Sequence, residues 1–202
     1  KLRMSLPADL KAPIHTNVSL KSYTTFKIGG PARFFAEPET QDELRHVLEY
    51  QRLEGLAVFM IGRGSNLLIS DAGFSGLVLS LRKLSPQQYS VDADGLFRAP
   101  GGMSLFQLAL LSQKHSLAGA EFLCHIPGTV GGAVAMNAGF GRPGQSYREI
   151  KDIVGSITVL DLDGATKTLR REEIGFEYRK THLPPHSIVL EAIFRLTPKP
   201  KS

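Results

Sequence analysis

Hydrophobic and polar residues alternate over residues 32–36, and this period of two predicts a strand. The next stretch has helical spacing, beginning at a capping box of Thr40 and Glu43 and ending at Gly55. Its buried face is predicted to consist of Leu44, Val47, Leu48 and Gln51. An apolar run at 57–61 predicts a buried strand, and this strand-helix-strand order favours parallel pairing with a right-handed crossover.

Strand-like segments bounded by turn residues dominate the rest of the chain. We predict strands at 67–70, 77–81, 91–99, 150–160, 165–169 and 188–196. Asp94-Gly95 is the expected turn of an edge segment in a second sheet. Asp163-Gly164 is the expected turn of a hairpin, and the last segment closes the fold.

One further helix is predicted. Ser104 is expected to cap this apolar helix, which ends near Gly119. Residues 1–22 are expected to form an irregular leader. These patterns indicate an α+β fold with two subdomains, at 20–82 and 83–197.

Composition narrows the class of protein. The 202 residues are 42% hydrophobic and 21% charged, which is ordinary for a globular chain. No apolar run approaches the ~18 residues of a membrane span, and the first residues lack the apolar stretch of a secretory signal. Cys124 is the single cysteine, so no intramolecular disulfide is possible and a reducing compartment is favoured. We therefore expect a cytoplasmic protein without a membrane partner.

The net charge of +5 has two interpretations. It reflects a solvated surface with surplus lysine and arginine, or an electropositive cleft that attracts a multiply anionic ligand. Basic blocks interleaved with aromatic residues are absent from the sequence, which argues against nucleic acid. The six histidines show no ligand spacing, so no metal site is expected, and we expect a monomer.

Two glycine-rich loops adjoin apolar runs. The first has the sequence Gly62-Arg63-Gly64-Ser65-Asn66 and follows a predicted strand. Its backbone N–H groups, hydroxyl and amide suit an anion, although a plain glycine turn explains it equally well when taken alone. The spacing is not a Rossmann fingerprint, and a Walker lysine is missing.

The second loop, residues 126–132, carries more information because nearly every residue after it, through 139, is also small. Such a stretch lets a flat ring lie close to the backbone, with Thr129 and Asn137 as polar groups. The alternative is a tightly packed core turn.

Four motifs together make the chain resemble the UDP-N-acetylenolpyruvoylglucosamine reductase family, in the FAD-binding portion. They lie at 24–32, 61–68, 126–139 and 176–179, in the order of the family. The resemblance implies an FAD-binding domain of the vanillyl-alcohol-oxidase (PCMH) type, with non-covalent FAD between two α+β subdomains. The expected FAD-binding residues are Gly62, Arg63, Gly64, Ser65, Asn66, Leu67, Pro127, Gly128, Thr129, Gly131, Gly132, Ala133 and Val134.

The resemblance also implies a reaction. NADPH supplies a hydride through the flavin to the enolpyruvyl group of a UDP-sugar, which gives UDP-N-acetylmuramate for peptidoglycan synthesis. Arg179 matches the family arginine that pairs with the enolpyruvyl carboxylate, and a guanidinium suits the charge that develops there. Tyr178 and Asn137 are expected to line the substrate. The alternative for Arg179 is a surface ion pair with Glu177 or Glu173.

This chain departs from the family at its end. The family continues into a third, substrate-binding domain with a proton-donor serine and a late glutamate, and neither has a counterpart here. A fragment of a longer enzyme is the expected explanation, and a shortened flavoprotein is the competing one. For the function, the alternatives are an FAD-binding subunit of another dehydrogenase or oxidase, and a non-catalytic nucleotide-binding module.

Overall fold

The computed structural model describes residues 14–84, 88–141 and 146–199. The chain divides into two units, one ending at Leu84 and the other starting at Ser85. The division lies close to the predicted boundary between 82 and 83.

The first unit is a four-stranded sheet with one helix. Its elements are β1 (Ile14–Ser19), β2 (Pro31–Ala36), α1 (Gln41–Leu53), β3 (Val58–Met60) and β4 (Phe74–Leu79), with a 3-10 helix at Leu20–Tyr23. The strand order is β1-β2-β4-β3. β2 and β3 are both parallel to β4, which lies between them, and β1 is antiparallel to β2. The predicted parallel pairing is confirmed, with a third strand inserted.

Helix α1 forms where the apolar spacing predicts it. Thr40 is the N-cap, and its side chain accepts a hydrogen bond from the Glu43 N–H at 3.1 Å. The Glu43 carboxylate, however, accepts from the Glu39 N–H at 2.7 Å, so the reciprocal half of the predicted capping box is displaced by one residue. Gly55, with φ +59°, follows the end of the helix. The four predicted inward residues are all buried.

Strand β2 has core contacts on both faces. Phe34 meets Tyr50 of α1 edge-on, with ring centroids 5.7 Å apart. Phe35 belongs to a separate buried cluster with Leu20, Ala32, Ile61 and Val78. Because successive side chains of a strand point to opposite faces, α1 and this cluster lie on opposite sides of β2.

Two predictions for this unit are wrong. Residues 14–19 of the predicted leader form β1, because the chain pairs along β2; residues 1–13 of that prediction lie outside the described part. Residues 67–70 are not a strand. The Ser70 carbonyl accepts from the N–H groups of Gly30 and Gly73, at 2.9 Å each, so this segment closes a turn instead of joining the sheet.

The second unit contains a five-stranded antiparallel sheet, two helices and three short two-stranded ladders. Its strands are β5 (Ser90–Val91), β6 (Leu96–Pro100), β7 (Leu117–Ala118), β8 (Gly139–Phe140), β9 (Arg148–Glu149), β10 (Val154–Leu160), β11 (Thr166–Arg170), β12 (Gly175–Glu177), β13 (Lys180–His182), β14 (Ile188–Arg195) and β15 (Thr197–Pro198). Its α-helices are α2 (Leu105–Lys114) and α3 (Val130–Ala135). Its 3-10 helices are Glu121–His125, Ile150–Asp152 and Arg171–Glu173.

The main sheet has the order β11-β10-β14-β6-β5, and β14 lies at its centre. Phe97, Ala192 and Phe194 of this sheet are fully buried and belong to the same core cluster as Leu105 and Leu108 of α2. Ser104 caps α2 as predicted, accepting from the Gln107 N–H at 3.1 Å.

Several boundaries in this unit differ from the prediction. Helix α2 ends at Lys114 and not near Gly119. The predicted edge segment with a turn at Asp94-Gly95 is confirmed, since β5 and β6 pair antiparallel at the edge of the main sheet and are joined through Gly95 at φ +81°. Helix α3 and the β12–β13 hairpin have no predicted counterpart, because their short glycine-rich or charged sequences carry no clear period.

Candidate functional site

The first glycine loop leaves its sheet with free backbone donors. The Ile61 N–H still donates to the Leu79 carbonyl at 3.0 Å, so the ladder extends one residue beyond β3. Among the described residues, the next N–H groups find no acceptor at four positions: Gly62, Arg63, Gly64 and Asn66. The loop therefore presents backbone hydrogen-bond donors that are available to a ligand.

The shape of this loop is fixed by a close approach of the chain. Gly64 has φ +62°, and a Cβ there would lie 2.0 Å from the Tyr23 carbonyl oxygen. The Thr25 N–H donates to the Gly64 carbonyl at 3.1 Å, and the buried Thr24 hydroxyl donates to the Ile28 carbonyl at 2.8 Å. The motif at 24–32 thus helps to fix the conformation of the first loop. Only glycine fits at position 64.

The side chains of the first loop suit an anion. Arg63 is exposed and has no carboxylate partner among the described residues. The Asn66 side chain is also exposed, whereas Leu67 packs against the core cluster of the first unit. Backbone N–H groups, a guanidinium and an amide together match the acceptor oxygens of a phosphate or pyrophosphate. The assignment of residues 62–67 to a cofactor remains a prediction that this donor set supports.

The second glycine loop uses most of its donors internally. Val130 N–H donates to the Met103 carbonyl at 2.9 Å, Gly131 N–H to the Gly101 carbonyl at 2.8 Å, and Gly132 N–H to Thr129 Oγ1 at 3.3 Å. Most backbone N–H groups of this loop are therefore already used within the fold. Within the described ranges, only the Gly128 and Thr129 N–H groups of 128–132 lack an acceptor.

Glycines in the second loop and in the segment that it is hydrogen-bonded to serve two purposes. Gly101 is required by packing, since a Cβ there would lie 2.1 Å from the Val189 carbonyl oxygen of β14. At Gly128 and Gly132, a Cβ would meet neighbouring atoms only at 3.6 and 3.4 Å, which is ordinary contact. The chain's own packing does not demand glycine at these two positions. Their small size is consistent with the close approach of a flat ligand.

Three predicted cofactor residues of this loop have side chains turned into the fold. Thr129 is buried and caps α3, and Ala133 and Val134 belong to the core of the second unit. Pro127 and Gly132 are exposed. Any ligand contact by Ala133 or Val134 would therefore involve backbone atoms, and these assignments remain predictions.

The motif at 176–179 forms the turn of the β12–β13 hairpin. Arg179 has φ +57°, and its Nη1 donates to the Gly139 carbonyl at 3.0 Å. Its guanidinium carbon lies 5.5 Å from the ring centroid of Tyr178 and 5.9 Å from that of Tyr147. At these distances each aromatic ring attracts the guanidinium through a cation–π interaction.

The alternative for Arg179, a surface ion pair with Glu177 or Glu173, is not observed among the described residues. Glu177 pairs instead with His182, whose Nε2 lies 2.7 Å from its Oε1. This hydrogen bond lowers the pKa of Glu177 from its ordinary value. Among the described residues Arg179 has no carboxylate partner, so its charge is available to an anionic group.

The side chain of Asn137, for which substrate contact is predicted, makes hydrogen bonds within the fold. Its side chain is fully buried (0% exposed) at φ +39°. Nδ2 donates to the Glu177 carbonyl at 2.9 Å, and Oδ1 accepts from the Lys151 N–H at 3.1 Å. Both ends of the amide are occupied, so this geometry gives no support to direct contact with a ligand. Tyr178, in contrast, is 74% exposed.

Residues that sequence reasoning missed complete the surroundings of Arg179. Gly139 supplies the accepting carbonyl, and Tyr147 supplies one ring. Burial raises the pKa of the Tyr147 phenol, while the nearby Arg179 charge opposes that shift. Gly139 lies within the small-residue stretch that the sequence singles out. Tyr147 carries no signal of its own.

Two further properties bear on the class of protein. In the described part of the chain, no cluster of histidine, cysteine, aspartate or glutamate side chains has the arrangement of a metal site. Within the same ranges, no helix is long and apolar enough to cross a bilayer.

Comparison with known proteins identifies the fold. The FAD binding domain family matches residues 32–170. UDP-N-acetylenolpyruvoylglucosamine reductase of Syntrophus aciditrophicus (strain SB) is 40% identical over 182 residues, which cover 89% of this chain and 56% of that protein. The crystal structure of such a reductase from Thermus caldophilus is 34% identical with a TM-score of 0.73, covering 94% of this chain and 64% of that one.

A more distant likeness concerns the fold alone. Glucooligosaccharide oxidase from Acremonium strictum is 18% identical with a TM-score of 0.61, over 94% of this chain and 41% of that one. The resemblance inferred from the four motifs and the α+β FAD-binding fold are both confirmed. The chain spans about three fifths of the length of the reductases that it matches.

Proposed function

Because the chain belongs to the family of FAD binding domains, we propose that it is the FAD-binding part of a UDP-N-acetylenolpyruvoylglucosamine reductase. The observation that carries this proposal is the row of N–H groups at Gly62, Arg63, Gly64 and Asn66, which, like the Arg63 guanidinium, have no partner among the described residues. In the proposed enzyme, UDP-N-acetylglucosamine enolpyruvate is reduced to UDP-N-acetylmuramate. The product belongs to peptidoglycan precursor synthesis, and we place the enzyme in the cytoplasm as a monomer.

The first loop is proposed to bind the pyrophosphate of FAD. Each charge-assisted hydrogen bond contributes about 1.5–3 kcal/mol. These donors are already oriented by the Gly64 turn and its contact with Tyr23, so little conformational entropy is lost on binding. The exposed Arg63 adds a charge whose attraction weakens with salt.

The second loop is proposed to lie along the flavin ring of FAD and the ribityl chain attached to it. Gly128 and Gly132 leave room for close approach, and the Gly128 and Thr129 N–H groups are available as donors. FAD held by these residues would supply the hydride chemistry, with NADPH as the hydride donor and the enolpyruvyl double bond as the acceptor. Binding is non-covalent in this proposal.

Arg179 is proposed to bind the carboxylate of the enolpyruvyl group. Hydride addition places negative charge next to this carboxylate, and a fixed guanidinium stabilises such charge. Its hydrogen bond to Gly139 and the flanking tyrosine rings limit its motion. Loss of one preorganised donor of this kind costs about 2.7–4 kcal/mol of transition-state stabilisation.

The test uses the purified chain, FAD and a matched pair of variants. Arg63→Gln should weaken FAD binding roughly ten- to hundredfold, as expected for one charge-assisted hydrogen bond, in a flavin-fluorescence titration. Arg45→Gln is the control, because Arg45 is an exposed arginine of the same unit that already pairs with Asp42 at 2.8 Å. Equal effects of the two variants, or no binding by the wild-type chain, would overturn the cofactor assignment.

The substrate assignment needs a separate measurement. The FAD-loaded chain should bleach slowly on addition of NADPH, and its colour should return slowly with UDP-N-acetylglucosamine enolpyruvate under anaerobic conditions, because the proton-donor serine and late glutamate of the family's third domain have no counterpart here. Return of colour with other acceptors but not with this one would favour an FAD-binding subunit of a different dehydrogenase or oxidase. FAD binding without any reduction would favour a non-catalytic nucleotide-binding module.

A further inference from the structure

We infer that Asn137 is a positioning residue, whose buried amide fixes the hairpin turn that carries Arg179. The inference rests on the proposed function, in which Arg179 binds the substrate carboxylate. Asn137 lies two residues beyond α3, in the stretch that continues the second glycine loop. Its amide joins this stretch to the Glu177 carbonyl at 2.9 Å and to the Lys151 N–H at 3.1 Å.

The hydrogen bond to Glu177 acts at the point where the turn begins. Glu177 pairs with Lys180, and the two residues between them are Tyr178 and Arg179. Arg179 occupies the left-handed region at φ +57°, which is unfavourable for a residue with a side chain. The turn therefore needs support from outside the hairpin, and the Asn137 amide supplies it on the entering strand.

A second hydrogen bond supports the other strand of the hairpin. Thr181 Oγ1 donates to the Val134 carbonyl at 2.5 Å. The Arg179 guanidinium itself donates to the Gly139 carbonyl at 3.0 Å. All three attachments end on residues 134–139, so one short stretch of chain determines where the guanidinium lies.

Support for the turn is separable from the stability of the hairpin. The strands of β12 and β13 have three residues each, and an isolated hairpin of this size is marginal in water. Phe176 packs against the hydrophobic core cluster of the second unit. Removal of the amide should therefore leave the hairpin attached through Phe176 but loosen its turn.

The first experiment measures that loosening by hydrogen exchange with mass spectrometry. Asn137→Gly removes the amide and tolerates φ +39°, so backbone strain does not confound the result. Exchange in residues 177–182 should accelerate about tenfold, the amount that one net hydrogen bond provides, while β14 stays unchanged. Ser112→Ala is the control, because it removes another buried hydrogen bond of this unit, to Leu108. Acceleration spread over the whole unit, or none at the turn, would overturn the inference.

The second experiment asks whether Asn137 acts through Arg179. Dissociation constants of the FAD-loaded chain are measured for UDP-N-acetylglucosamine enolpyruvate and for UDP-N-acetylglucosamine, which lacks the carboxylate. Asn137→Gly should weaken only the first ligand, by about tenfold, and should add nothing to Arg179→Lys in the double variant. Additive losses, or equal losses for both ligands, would show a merely structural role.

The two experiments separate failure of the inference from failure of the proposed function. If the wild-type chain binds UDP-N-acetylglucosamine as tightly as UDP-N-acetylglucosamine enolpyruvate, the proposed contact of Arg179 with the substrate carboxylate is wrong. The exchange measurement still decides whether the Asn137 amide holds the turn, because it requires no ligand.

Discussion

Gly64→Ala is the substitution that tests the geometry of the first loop most sharply. Gly55 provides a matched control, because its φ of +59° is nearly the same as the +62° of Gly64. Alanine at either position incurs the cost of the left-handed region, about 1–2 kcal/mol. A Cβ at Gly55 has no neighbouring atom within 4 Å, so this is the whole cost there.

At Gly64 the added Cβ also collides with the backbone. It would lie 2.0 Å from the Tyr23 carbonyl oxygen and 2.8 Å from the Thr24 Cα, far below the 3.4 Å at which ordinary contact begins. Neither neighbour is a flexible side chain that can move aside. Displacing the loop adds an overpacking cost of about 1–3 kcal/mol and threatens the hydrogen bond from the Thr25 N–H, worth about 1 kcal/mol.

We therefore expect Gly64→Ala to lower the free energy of unfolding by about 2–4 kcal/mol more than Gly55→Ala does. Urea titrations followed by circular dichroism give this difference. FAD affinity, measured by flavin fluorescence, should fall for Gly64→Ala and stay unchanged for Gly55→Ala. If the two variants unfold with the same midpoint and slope, the close approach of the loop to Tyr23 is refuted.

Three other predictions concern the second unit. Gly132→Ala should leave the urea midpoint nearly unchanged and weaken FAD binding, whereas Gly101→Ala should destabilise the chain, because only the latter brings a Cβ into collision with β14. Thr129→Val removes the cap of α3 and should cost about 1 kcal/mol in the same titration; an unchanged midpoint would argue that the cap is dispensable. The hydrogen bond from His182 lowers the pKa of Glu177 below the ordinary value of 4.5. The stabilisation of the hairpin by this pair is therefore present above the pKa of Glu177 in the unfolded chain, and it is lost as the pH falls through the lower pKa of the folded chain. His182→Ala should return the Glu177 pKa, followed by carboxyl NMR, toward 4.5; an unmoved pKa would show that the pair is absent in solution.

Local signals in the sequence were sufficient for α1 and its neighbouring strands. Thr40, the helical spacing of Leu44 and Val47, and Gly55 define the helix without help from distant residues. The position of β4 between β2 and β3 could not be found in this way, because strand order depends on pairing between segments far apart in sequence. The apolar run at 67–70 misled for the same reason, since the Ser70 carbonyl accepts from the N–H of Gly30, forty residues earlier, and closes a turn.

In the candidate site, too, local features could be predicted from the sequence and contacts between distant residues could not. The donors of the first loop follow from its glycines and from the end of β3, both visible in the sequence. The inward hydrogen bonds of Val130 and Gly131 depend on residues 101–103, nearly thirty positions earlier, and no local pattern reveals them. The burial of Asn137 likewise depends on Glu177, forty residues away.

Amide NMR of the chain with and without FAD reports on the first glycine loop itself. We expect FAD to shift the N–H signals of Gly62, Arg63, Gly64 and Asn66, which have no acceptor in the described fold. The Val130 and Gly131 N–H signals, already bonded to backbone carbonyls, should move much less. Saturable FAD binding that leaves the four loop amides unshifted would show that the first loop does not bind the cofactor.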